Sequence, residues 1–156
     1  MKYHFFWGGI YSNWAKLPFT LEIDEQEISF NCGEQYMMYC KANLFNDYES
    51  AIKILKESNP RAQKQLGRKV KNFNSKLWDE SKYMIMYIGL KAKFEQNLKM
   101  KEQLLKEDCD LFVEASPHDR IWGIGYNEED ALDNIDTWGE NLLGRIITDV
   151  RNSLSK

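Results

Sequence analysis

The sequence predicts an α+β fold dominated by helices, a single domain over residues 1–156 with a small N-terminal β-sheet. Three observations carry this reading. Strict apolar/polar alternation is confined to the first thirty residues, and one further short apolar run stands at Leu111–Val113. Most of the remaining chain carries apolar residues at helical spacing, opened by Asn, Asp or Pro and closed near Gly. No internal repeat, low-complexity stretch or Pro/Gly-rich linker divides the 156 residues, and that length is ordinary for one domain.

In chain order, residues 3–7 read as a strand ended by Gly8-Gly9, and Ser12-Asn13-Trp14 reads as a loop. Phe19–Ile23 and Glu27–Phe30 alternate as a hairpin with its turn at Asp24-Glu25-Gln26. The first helix is expected from Asn31 to about Asn46. Asn31 and Glu34 are spaced as a capping box, and the helix is apolar nearly all round, hence buried. A short amphipathic helix over 48–57 should turn Ala51, Ile52 and Leu55 inward. Asn59-Pro60 restarts a helix that ends near Gly67. The longest helix spans 75–98, with Leu77, Ser81, Met84, Ile85, Ile88 and Ala92 recurring at its period. A further turn or two covers Lys101–Lys106. Strand 111–115 then joins the small sheet and stops at Pro117, which has no N–H to give. Residues 126–137 are acidic and irregular. A last helix from about 140 to 154 carries Leu142, Leu143, Ile146, Ile147, Val150 and Leu154 as one stripe.

Composition excludes several function classes. The net charge of −3 and a pI near 5.5 argue against a general nucleic-acid coat protein, although Lys64, Arg68, Lys69 and Lys71 offer a local basic patch. Three cysteines without CxxC spacing point to a reducing compartment. No apolar run approaches the roughly 20 residues of a membrane span, and the aromatic N-terminus does not resemble a signal peptide. The expected setting is cytoplasmic, without membrane partners. Two histidines and no HExxH or Cys/His spacing leave metal chemistry without ligands, and no P-loop is present.

Candidate chemistry concentrates in a few residues, each with a plain structural alternative. Glu34 and Lys41 are seven apart, two helical turns, and so share a face. Glu34 either closes the capping box or is a functional carboxylate. Lys41 is either a snorkelling surface lysine or a desolvated amine whose pKa falls from about 10.4 and which can then attack an electrophilic carbon. Trp78 is a core residue or a stacking surface for a base. Arg68 is solvated or binds a phosphate. Asp119 and Trp122, three apart after the strand, place a charge beside an indole if they form one helical turn. Asn141 opens the last helix, where its side chain and free N–H groups can meet a ligand oxygen.

Taken together, Ser12-Asn13-Trp14, Glu34–Ala42, Leu66-Gly67-Arg68-x-Val70, Trp78-Asp79, Lys93-Phe94, Leu111–Gly125 and Gly139-x-Asn141-x-Leu143-Gly144 resemble the NADAR family, the YbiA-like N-glycosidases, over nearly the whole chain. The resemblance implies a YbiA-like fold and hydrolysis of an N-glycosidic bond at a ribose C1, without metal or cofactor. The implied substrate is a small nucleotide-like molecule, a phosphoribosylated intermediate of riboflavin synthesis, or ADP-ribosyl-guanine in nucleic acid. It assigns catalysis to Glu34, Lys41 and Asp119, and substrate binding to Asn13, Arg68, Trp78, Trp122 and Asn141. In that scheme Glu34 stabilises charge at C1 and Asp119 positions the sugar. Lys41 is either a covalent nucleophile or a phosphate or hydroxyl contact. Two other readings remain: a non-catalytic module that binds NAD or ADP-ribose, and a helical interaction domain presenting Glu128–Asp136 to a protein.

Overall fold

Strand pairing and helix packing divide the chain into two compact units, Asn13–Asn97 and a second made of Met1–Ser12 with Leu98–Lys156. The structure, a computed structural model, describes residues 1–156. No helix is long and apolar enough to cross a membrane.

In the unit Asn13–Asn97, strands β2 (Phe19–Ile23) and β3 (Gln26–Phe30) form an antiparallel hairpin with Phe19 opposite Phe30. Its turn is the two residues Asp24 and Glu25, both at positive φ (50° and 66°). That is the type I′ geometry that matches the twist of paired strands. Helices α1 (Gly33–Leu44), α2 (Tyr48–Lys56), α3 (Pro60–Arg68) and α4 (Ser75–Gln96) follow. Asp47, Asn59 and Asn74 each cap the next helix by accepting a hydrogen bond from its first turn. Helix α1 is the buried centre. Tyr36 packs edge-on against Phe30 at 5.2 Å and donates its hydroxyl to Ile85 O of α4.

Two expectations fail in this unit. The N-cap of α1 is Cys32, not Asn31, so Glu34 closes no capping box. The side chain that reaches back is Gln35, whose Oε1 accepts from Asn31 N at 2.7 Å while its Nε2 donates to the carbonyls of Ile54, Leu55 and Glu57. The inward faces of α2 and α4 also differ. On α2, Ala51 and Ile54 are buried and Ile52 is exposed. On α4 the core takes Trp78, Lys82, Met86, Leu90 and Phe94, whereas Leu77, Met84 and Ile88 face solvent. Two lysines on the buried face hide its apolar period.

In the other unit, β1 (Tyr3–Phe6) lies parallel to β4 (Leu111–Glu114), with Tyr3 opposite Leu111. The strands therefore form two separate ribbons rather than one sheet. Helices α5 (Leu98–Lys106), the single turn α6 (Glu128–Ala131) and α7 (Leu142–Leu154) complete the unit. The predicted α7 stripe is buried at Leu142, Leu143, Ile146, Ile147 and Val150.

Candidate functional site

Helix α1 begins with Glu34 at its second position, where the helix dipole favours a negative charge. Its backbone N donates to Asn13 O at 2.9 Å, which ties the 13–14 loop to the helix start. Glu34 is 3% exposed. Asn13 Nδ2 donates to its Oε2 and Trp14 Nε1 to its Oε1, each at 3.4 Å, so both oxygens are oriented. Asn13 Oδ1 is itself buried and has no hydrogen-bond partner. Burial pushes the Glu34 pKa up. The hydrogen bonds from Trp14 and Asn13 and the charges of Lys64 and Lys41 oppose that rise without cancelling it.

Two turns on, Lys41 sits beneath aromatic rings. Its Nζ lies 4.8 Å from the Phe73 ring centroid and 6.0 Å from that of Trp78. Burial pulls the Lys41 pKa down and the Arg68 charge adds to this, while Glu34 works the other way. Burial thus drives Glu34 and Lys41 each toward its uncharged form. Trp78 is buried in the first turn of α4. Arg68 is exposed at the end of α3, and Lys64 stands one turn earlier on the same face. Helix α3 approaches α1 closely because residue 67 is glycine: a methyl there would collide with the Met38 side chain.

These causes have a measurable sign. Arg68→Ala is expected to raise the Lys41 pKa, because a like charge is removed, and Glu34→Gln to lower it, because an opposite charge is removed. The rate of amine labelling at Lys41, followed by mass spectrometry against pH, reads both shifts. Movement of the two variants in the same direction would refute this account.

The unit Asn13–Asn97 thus assembles Asn13, Glu34, Lys41, Arg68 and Trp78. Trp14, Lys64 and Phe73 join them without having been assigned to the site from sequence. Trp14 adjoins Asn13, and Lys64 precedes Arg68 by four, so adjacency and helical spacing were available signals. Nothing local marks Phe73. Another lysine, Lys93, is fully buried on α4, and burial lowers its pKa to about 8.

Asp119, Trp122 and Asn141 belong to the other unit. Residues 117–123 form turns rather than a helix, so Asp119 and Trp122 do not share a helical face. Instead, Asp119 Oδ1 accepts from the backbone N–H groups of both Ile121 and Trp122 at 2.9 Å. Trp122 is half-buried. Asn141, at φ 52°, is buried. Its Nδ2 donates to Phe112 O and its Oδ1 accepts from Glu114 N, both at 2.9 Å. The N–H groups of Asn141, Leu142 and Leu143 donate to the carbonyls of Gly123, Ile121 and Trp122. The start of α7 therefore has no free donors at these positions, because the 121–123 turn has taken them.

Comparison with known proteins agrees with this fold. The family model described as NADAR domain matches residues 5–155. The chain is 39% identical to N-glycosidase R617 of Acanthamoeba polyphaga mimivirus, across 96% of this chain and 95% of that one. It is 32% identical to the riboflavin biosynthesis protein PYRR, chloroplastic, of Arabidopsis thaliana over 67% of this chain, a region that makes up 17% of the plant protein. The NMR structure of the E. coli protein YbiA superposes with a TM-score of 0.76 at 26% identity, covering 99% of this chain and 85% of that one. The chain belongs to the NADAR domain family.

Proposed function

We propose that this chain hydrolyses the N-glycosidic bond at C1 of a phosphorylated ribose and releases the base. The observation that carries the reading is the Glu34–Lys41 pair on one helix, with burial favouring the carboxylic acid of one and the free amine of the other. Those protonation states complete a cycle. The Lys41 Nζ lone pair forms a bond to C1 as the C1–N bond breaks, and the departing base takes its electron pair and a proton from Glu34. The Glu34 carboxylate then takes a proton from water, whose oxygen bonds C1 and displaces the lysine amine. Both groups return to their starting states. Trp78 offers a ring for the base.

Charge supports a phosphate-bearing substrate. Between Asn59 and Trp78 the chain carries Arg61, Lys64, Arg68, Lys69, Lys71 and Lys76 and no acidic residue, within a protein of net charge −3. The names of the mimivirus and plant relatives support base release and a riboflavin-pathway phosphoribosylamine. ADP-ribosyl-guanine carries the same bond and the same phosphate chemistry. One incubation series tests the proposal: a phosphoribosylaminopyrimidine, ADP-ribosylated DNA and NAD, each followed for free base, with borohydride added to reduce the imine that ring opening of a Lys41 adduct exposes. Base release from at least one substrate is expected, with a covalent adduct on the Lys41 peptide. Tight binding of ADP-ribose with no base released from any of them would instead make this a binding module.

A further inference from the structure

The outward face of α4 carries a feature that the Glu34–Lys41 chemistry does not use. Met84 and Ile88, at 55% and 48% exposure, form the centre of an apolar ridge beside the stacked rings of Tyr83 and Tyr87. Scattered exposed apolar residues are ordinary, but two adjacent pairs one turn apart on one 22-residue helix are not scattered. The charges around the ridge are ordered as well. From the N-terminus they run Lys76, Glu80, then Lys91, Glu95, and none of the four forms an ion pair within the chain.

That order is its own complement when the helix is reversed. An antiparallel copy whose two-fold axis passes beside Ile85 and Met86 sets Glu80 against Lys91, both close to the centre of the seam, while Lys76 and Glu95 share a level on opposite flanks of it. Each contact occurs twice by symmetry. The same register sets Tyr83 beside Tyr87 on one flank and Met84 beside Ile88 on the other, so apolar residues meet in the middle and a Glu80–Lys91 contact lies on either side of them. A parallel copy would set each charge against itself. All eight positions fall on one side of the helix at 100° per residue, over roughly 28 Å of its axis. Isologous contact of this kind closes at two subunits. We propose that the exposed face of α4 is a homodimer interface, formed by antiparallel pairing with a second copy of this chain. A single helix seam lies at the small end of specific interfaces, so the dimer is expected in the micromolar range.

Sedimentation of the full chain at about 100 μM, well above such a Kd, tests this. The wild type is expected to be a dimer. Glu80→Lys alone and Lys91→Glu alone each turn two attractive contacts into repulsive ones and are expected to raise the Kd about tenfold. The double variant Glu80→Lys/Lys91→Glu restores complementarity and should dimerise as the wild type does. The two single variants mixed should form the heterodimer. Glu80 is exposed and Lys91 half-buried, neither with an ion pair in the chain, and circular dichroism checks that each variant folds. A monomeric wild type, a dimer indifferent to both single reversals, or a double variant that fails to recover would each overturn the proposal.

Discussion

Lys41→Ala is expected to lower kcat/KM for base release by about four orders of magnitude, with a melting temperature close to that of the wild type. The size follows from the role: removing a covalent nucleophile deletes the low-barrier route and leaves only binding and charge stabilisation. The fold should tolerate the change because Lys41 is only half-buried and its contacts are to the faces of Phe73 and Trp78. Glu34→Gln should cost about 10³ in the same quantity. It keeps shape but places an amide where both neighbours donate. With Asn13 Nδ2 and Trp14 Nε1 aimed at its two oxygens, one donor must face the new NH₂. A stability loss of about 1 kcal/mol should accompany it. Asp119→Asn separates two roles for that residue. An amide oxygen can still accept from Ile121 N and Trp122 N, so a residue needed only for the turn tolerates the change, whereas a carboxylate acting on the sugar does not. Full turnover by both Lys41→Ala and Glu34→Gln would remove the chemical assignment.

What could be read from the residues divides along the range of the interactions. Phe19–Ile23, Asn59-Pro60 and the α7 stripe were legible because period, caps and proline act within a few residues. The pairing of Glu34 with Lys41 was legible too, since seven residues make two turns whatever the rest of the chain does. The start of α1 was misread because Asn31 has the right residue type and spacing, yet its N–H is taken by Gln35, a side chain held in place by carbonyls some twenty residues away. The inward face of α4 is legible only in part: Ala92 is buried, but Lys82 and Lys93 occupy the core while Leu77, Met84 and Ile88 face solvent. Burial of a lysine is decided by what surrounds it in space, which no local pattern records. The same holds for Phe73, whereas Trp14 beside Asn13 and Lys64 four residues before Arg68 carried local signals.

The largest expected loss of stability comes from a single methyl group, at Gly144→Ala. A Cβ at this position in α7 would collide with the carbonyl oxygen of Phe112 in β4 and with the Asn141 amide. Neither obstacle can give way cheaply. Phe112 O already accepts from Asn141 Nδ2, Phe112 N donates to Thr148 Oγ1 at 2.9 Å, and Glu114 N donates to Asn141 Oδ1. The opposite edge of β4 is held in register by β1. Moving α7 outward therefore breaks up to three hydrogen bonds, two of them buried, and opens the packing of Ile146 and Ile147, both fully buried. Overpacking of this kind and the lost hydrogen bonds together amount to about 3–5 kcal/mol. In a chain of this size that is a drop of roughly 10–15 °C in Tm. Gly67→Ala provides the contrast, since its obstacle is the Met38 side chain, which can rotate, and a cost of about 1–2 kcal/mol is expected. Thermal melts of the two variants decide the matter. A Gly144→Ala protein that melts within a few degrees of the wild type would mean that α7 does not rest on the β4 backbone as closely as Asn141 and Thr148 hold it.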